Sequence, residues 1–335
     1  MRLVLFGVSS LAYWLTAAAP PDRENAASGK CIARCAPSPL ILDHVSARFP
    51  QIPEPYHCLA PGACRSCGAR AAVHISRRPY AKGSFYRIAD GLYVSSPELC
   101  FVQVAQGASL HELVKVGSAL CGAFRLAPTQ GGGLSSRERL TTRKRLAAFV
   151  RNNAGLKGAK MARRALPLLV EKAASPPEIF LRMVLGLPRR CGGYELMGSD
   201  VNQRMTVSKK ARAISERGTL VPDLLWPDHR VAVEYDSDSE HLTSTQVARD
   251  AKKRLALAHD GFKVFTVTLQ QLRDPRSMRH VAEEIAREIG RPLRIRGQQF
   301  PAKHAALYRT GWSLNRYCCG RWLAADEAGA APRLE

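Results

Sequence analysis

Apolar positions between Ser175 and Ile289 recur with two different periods, and the switches between them mark out elements. Phe180, Leu181, Val184 and Leu185 follow helical spacing after the opening Ser175-Pro176-Pro177-Glu178. Ser175 suits the N-cap, Pro176 the first turn, and Glu178 closes a Ser-x-x-Glu box. Gly186-Leu187-Pro188 ends that helix, and Asn202 to Val207 reads as a strand. Over 221–241, VPDLLWPDHRVAVEYDSDSEH, the period drops to two. Asp223 begins a strand, Trp226-Pro227-Asp228-His229 makes a hairpin turn, and Arg230 to Tyr235 returns as the next strand. Thr243 to Asp260 is helical again, with Val247, Ala251, Leu255 and Ala258 as its apolar stripe. Gly261 stands where a left-handed stop belongs; a strand over Phe262 to Val267 and a closing helix over Met278 to Ile289 follow.

The earlier half is less regular. Ser76 to Val94 reads as short strands and Leu110 to Leu120 as an apolar helix. Leu3 to Phe6 reads as a buried strand leading into a short helix through Tyr13 and Trp14. Residues 1–19 also resemble a signal peptide with small residues near Ala17 to Ala19, but an aromatic pair inside such a run favours the strand and helix. Pro128 to Ser136, PTQGGGLSS, reads as a linker, since three successive glycines hold neither helix nor strand. Arg137 to Lys172 then carries eleven Lys or Arg against two acids, with apolar residues at helical spacing. It is expected to form a basic helical arm. The resulting division is 1–127, a Cys-rich domain; 128–174, linker and arm; 175–290, a second domain; and 291–335, a basic extension.

Charge sharpens the reading. Fifty Lys and Arg against 28 Asp and Glu leave a formal charge of +22 in 335 residues. Such a surplus favours polyanions, because each neutralised phosphate releases condensed counterions. Anionic membrane surfaces and ribosomal contacts would satisfy the same surplus, but nucleic acid, DNA before RNA, is the expected partner, with Arg143, Lys144, Arg145, Lys252, Lys253 and Arg254 as candidate phosphate contacts. The ten cysteines do not form a disulfide pattern. Cys58 with Cys64-x-x-Cys67 offers thiolates, but no second pair of firm spacing exists, so unligated thiols are expected rather than a structural zinc. A cytoplasmic protein without a membrane partner is the expectation.

The hairpin carries the chemistry. Ala232, Glu234 and Asp236 share one face of their strand, and ten residues separate Asp223 from Glu234 across the turn. That spacing can bring the carboxylates of Asp223, Glu234 and Asp236 to one end of the hairpin. Clustered carboxylates on apolar strands are costly unless a cation neutralises them, and oxygen donors suit Mg2+, with Mn2+ as its substitute.

These residues resemble the PD-(D/E)xK restriction-endonuclease-like superfamily, in the branch similar to very-short-patch-repair endonucleases. The resemblance is carried by Pro222-Asp223, Glu234-Tyr235-Asp236, His241, Asp250 with Lys253, Leu257, Gly261, Val264 and Thr268. The first half is similar to the front halves of actinobacterial proteins that end in this domain. The resemblance implies an α/β architecture: a restriction-endonuclease-like mixed sheet flanked by helices, preceded by a separate α/β domain. It also implies an Mg2+-dependent endonuclease acting in repair, restriction or phage defence. Asp223 and Glu234 would hold the metal, Asp236 would support it, His241 would assist protonation or position water, and Glu178 would be an accessory acid. The chain departs from the pattern at Ser237, where glycine is usual, at His241, one residue late, and at Thr266, often arginine. Asp236 stands at the position of the signature lysine. The altered loop keeps a second reading open, a non-catalytic nucleic-acid-binding regulator related to abortive-infection toxin–antitoxin proteins.

Overall fold

Leu3, Val4 and Leu5 are fully buried because the strand they form, β1 (Leu3–Leu5), lies inside a six-stranded sheet. The computed structural model describes residues 2–62, 68–127, 133–236, 244–295, 298–311, 314 and 317. The chain divides into two units, whose main spans are Met1–Glu171 and Lys172–Trp312.

In the first unit β1 leads into α1 (Gly7–Thr16), which buries Leu11, Ala12, Trp14 and Leu15. The Trp14 indole N–H donates to the Ser95 carbonyl at 2.7 Å. Residues 3–16 are thus the expected strand and helix. The sheet is completed by β2 (Ala26–Ala27), β3 (Tyr56–Ala60), β4 (Ala71–Ile75), β5 (Phe85–Ala89) and β6 (Leu92–Ser95), in the order β2-β5-β6-β1-β3-β4. Pairs β1–β6 and β3–β4 are parallel and the others antiparallel. The short α2 (Pro39–Arg48) precedes β3, and α3 (Pro97–Val104) and α4 (Leu110–Leu120) follow β6. The helix α4 covers the expected residues and opens on a Ser109–Glu112 capping box. The strand expectation over 76–94 holds only from Phe85 onward.

The stretch expected as a linker carries a strand instead. β7 (Phe124–Leu126) pairs antiparallel with β8 (Leu134–Ser136), and of the glycines between them only Gly133 is among the described residues. The expected basic arm packs within the first unit as α5 (Arg143–Asn152) and α6 (Ala159–Ala165). Leu140, Leu146, Ala159, Ala162 and Ala165 are fully buried, so the helical spacing was legible while its burial was masked by the charges. Arg137 is itself buried. Its guanidinium donates to the carbonyls of Trp14, Ala17 (3.0 Å) and Ala119 (3.5 Å), which belong to the last turns and cap of α1 and α4. Desolvation pulls its pKa down to about 10.

The second unit opens on α7 (Pro176–Gly186), with Ser175 accepting the Glu178 backbone N–H as expected. Then come β9 (Asp200–Val201), β10 (Met205–Thr206), α8 (Lys209–Ser215), β11 (Thr219–Leu220), β12 (Leu224–Trp226), β13 (Val231–Asp236), α9 (Ser244–His259) and β14 (Lys263–Thr268). The central sheet has the order β14-β13-β12-β9 and is mixed: β13–β14 is parallel, while β12–β13 and β12–β9 are antiparallel. The single strand expected at 202–207 is broken, because Asn202 adopts a left-handed φ of 47° and β10 pairs with β11 in a separate ribbon. After β14 come α10 (Leu269–Arg273), α11 (Pro275–Glu288) and α12 (Phe300–Thr310), the last within the segment expected as an extension.

Helices α7, α10 and α11 pack on β13 and β14, while α8 and α9 cover the face carrying Leu225 and Ala232. The inward face of α9 is not the one its apolar stripe predicts. Ala256 and Leu257 are fully buried, whereas Val247 and Leu255 are 46% and 60% exposed and Ala251 and Ala258 also face outward. The helix is turned so that Lys253 reaches the sheet, and its aliphatic stem occupies a position that a polar–apolar count assigns to solvent.

Candidate functional site

The register of the hairpin builds the site. Leu224 faces Val233 and Trp226 faces Val231, so the next pair outward sets Asp223 beside Glu234 on one face. Pro227–His229 form a single turn and Arg230 takes the left-handed conformation, which closes the hairpin where it was expected. One oxygen of Asp223 accepts the Tyr235 backbone N–H at 2.7 Å, so the carboxyl group is fastened to the neighbouring strand. On the far side, parallel pairing sets Thr266 beside Glu234 and Thr268 beside Asp236.

Above these residues lies a cleft of about 140 Å³ lined by Asp223, Glu234, Asp236, Asp250, Lys253 and Arg254. Glu234 is 8% exposed. Its Oε2 accepts from Lys253 Nζ at 2.7 Å, and its Oε1 is buried without a hydrogen-bond partner among the described residues. Lys253, expected as a phosphate contact, is also the counter-ion of Glu234. Asp250-x-x-Lys253 was the sequence signal, since positions three apart share a helix face. The consecutive run 252–254 cannot share one, and Lys252 turns outward to Glu216 at 2.5 Å.

The remaining expected residues fall in several places. Glu178 is buried and engaged by three donors: the Ala174 N–H (2.8 Å), the Ser175 hydroxyl (2.9 Å) and Asn202 Nδ2 (2.7 Å). It anchors the start of α7 and acts on the cleft through its charge. His241 and Ser237 lie outside the described residues, as do Cys64 and Cys67; Cys58 is buried in β3. Arg143, Lys144 and Arg145 sit on the first turn of α5, in the first unit. Arg143 is held by Glu171 at 3.8 Å and Arg145 by Glu98 at 3.4 Å.

Electrostatics set the state of the two central acids. Burial, with the charges of Glu178 and Glu234, pushes the Asp223 carboxyl well above the usual range, against the pull of Lys253. Burial also raises Glu234, and Lys253 offsets part of that. One ammonium therefore compensates one carboxylate, and Asp223 keeps its proton to higher pH than an exposed acid. In the unfolded chain Asp223 ionises near 3.9. Between that value and the raised folded value the folded state binds more protons, so this residue makes stability fall as pH rises. Asp223→Asn keeps an acceptor for the Tyr235 N–H and removes the ionisation. It is expected to gain stability on the order of 1 kcal/mol above this window and to match the wild type near pH 4. Thermal melts from pH 4 to 8 in chelator check this; a variant that loses stability with rising pH relative to wild type contradicts it.

The donors fit a hard divalent cation of modest coordination demand. Mg2+ is commonly held by one or two carboxylates with water completing its shell, and Asp223 with Glu234, whose Oε1 is unpartnered among the described residues, would supply that set. Among the described residues no group of three or more His, Cys, Asp or Glu side chains is arranged to hold a metal. Asp236 lines the same cleft as Asp223 and Glu234. Compared with protein-family models, curated proteins and solved structures, the chain finds no match.

Proposed function

We propose that the second unit hydrolyses phosphodiester bonds in nucleic acid, DNA first, with a divalent cation held by Asp223 and Glu234. The observation that carries this reading is the buried Asp223–Glu234 pair under a polar cleft, with one ammonium to balance two acids and one carboxylate oxygen left without a donor. When bound, the cation supplies Lewis acidity toward a phosphoryl oxygen and a site for activating water. The chain does the rest. Glu234 stays fixed by Lys253, whose Nζ stands at the cleft where it can also donate to a phosphate oxygen. Arg254 lines the same cleft and adds a second cation for the phosphate. Asp223 gives up its proton as the cation binds, so affinity for the cation rises with pH. Asp236 lines the cleft and His241 stays a candidate for proton transfer.

One observation favours the second reading, a non-catalytic nucleic-acid-binding regulator. Lys253 already neutralises Glu234, so the site has a built-in cation. The readings separate on supercoiled plasmid and on single strands with Mg2+, Mn2+ or chelator. Metal-dependent nicking is the expected result; no cleavage with either metal on any substrate gives the site to the regulator.

A further inference from the structure

Between Arg143 and Arg164 the chain has eight Lys or Arg and no acid. The two helices of this stretch sort them by face. Leu146 and Val150 of α5 are buried, as are Ala159, Ala162 and Ala165 of α6. Lys144, Arg151, Lys160, Arg163 and Arg164 are exposed on the opposite faces, with Lys157 exposed in the turn between. Arg143 and Arg145 have the acidic partners described above; the other six have no ion pair among the described residues.

The turn is fixed. Gly158 has φ +91°, and a Cβ there would meet the Val102 carbonyl at 2.2 Å, so the start of α6 is pressed onto α3. A Cβ on Gly155 in the same turn would lie 3.5 Å from Nη1 of Arg78, which brings a further exposed cation to the face.

An ordinary solvated helix face mixes signs, because like charges at i,i+4 destabilise a helix. Lys160 and Arg164 hold that unfavourable spacing within α6. A membrane-docking face would add exposed large apolar side chains; among the described residues of this unit the exposed large hydrophobics are Leu40, Ile75 and Leu134, none of them on α5 or α6.

We propose that the α5–α6 face binds the phosphate backbone of a nucleic-acid duplex without regard to sequence. It uses residues of the first unit alone, so it is independent of whether the Asp223–Glu234 cleft is active. The test is binding of the full chain to a duplex of about 20 base pairs, in chelator so that no cleavage occurs, across a salt series. Affinity should fall with salt by roughly 0.9 per phosphate contact on a log–log plot. The triple variant K157E/K160E/R163E should bind at least about 100-fold more weakly and lose about three contacts from that slope. K30E/R48E/K82E changes net charge equally at exposed sites elsewhere in the same unit and should stay within about 3-fold of wild type. K157A/K160A/R163A, in which alanine favours helix, should lose affinity in the same direction with an unchanged melting temperature. Equal losses in the patch and control variants, or a patch variant that binds like wild type, overturns the proposal. So does binding to vesicles rich in anionic lipid with none to the duplex.

Discussion

Glu234→Gln is expected to lower metal-dependent cleavage by at least about 10³-fold, an effect of roughly 4 kcal/mol on the reaction barrier. The substitution is nearly isosteric but removes the charge on which both Lys253 and an incoming cation rely. Glu234 Oε1 has no hydrogen-bond partner among the described residues, and Oε2 pairs with Lys253 Nζ at 2.7 Å. With a neutral amide at 234, Lys253 loses its paired carboxylate and keeps Asp223, Asp236 and Asp250 as acids of the same cleft. The proton on Asp223 then becomes easier to lose, because one acid that raised its pKa is gone and the ammonium remains. The fold should survive, with melting changed by a few degrees. Two measurements read the result: single-turnover cleavage with Mg2+ and Mn2+, and calorimetric titration of Mn2+ into the chain. A variant cleaving within about tenfold of wild type would remove Glu234 from the cation site.

Arg137→Met is expected to cost about 1.5–3 kcal/mol of stability, the scale for losing hydrogen bonds made by a charged donor to buried carbonyls. The guanidinium is 8% exposed and serves the Trp14, Ala17 and Ala119 carbonyls, which lie at the C-terminal ends of two helices. Helix ends leave carbonyls without intrahelical donors, and here one side chain satisfies both ends. Methionine fills the volume of the stem and leaves the three oxygens without that donor. Denaturant unfolding of the first unit should show the loss at every pH between 5 and 9, because the group stays charged throughout that range. A loss below about 1 kcal/mol would mean that water replaces the guanidinium at little cost.

The hairpin was readable because its information is local: a Pro-Asp turn, a period of two, and carboxylates at fixed steps from the turn. So were the Ser175 cap and the stop at Gly261, whose φ is +80°. Tertiary competition hid the rest. The stripe Val247–Ala251–Leu255–Ala258 has the right period, yet α9 turns it outward so that Leu257 packs and Lys253 meets Glu234. A lysine that pairs inside a cleft and a lysine that coats a surface look alike in sequence. Arg137 was hidden in the same way, one cation among eleven in a run read as solvated. The glycine-rich stretch misled for a different reason. A glycine run weakens a strand, and the pairing of Phe124–Leu126 with Leu134–Ser136 on either side of it is not legible in the sequence.

The mixed sheet of the second unit also orders events in time. Asp223 and Glu234 meet as soon as a short turn closes, a microsecond-scale step for an isolated hairpin. Lys253 lies on α9, whose docking joins residues farther apart in sequence than the hairpin does and is expected to be the slower step. In the interval two acids approach each other with no ammonium between them. Hairpin closure is then opposed by their repulsion wherever both are ionised, and mild acid relieves it. The docking of α9 completes the cleft and is expected to relieve the repulsion between the carboxylates on the strands beneath it.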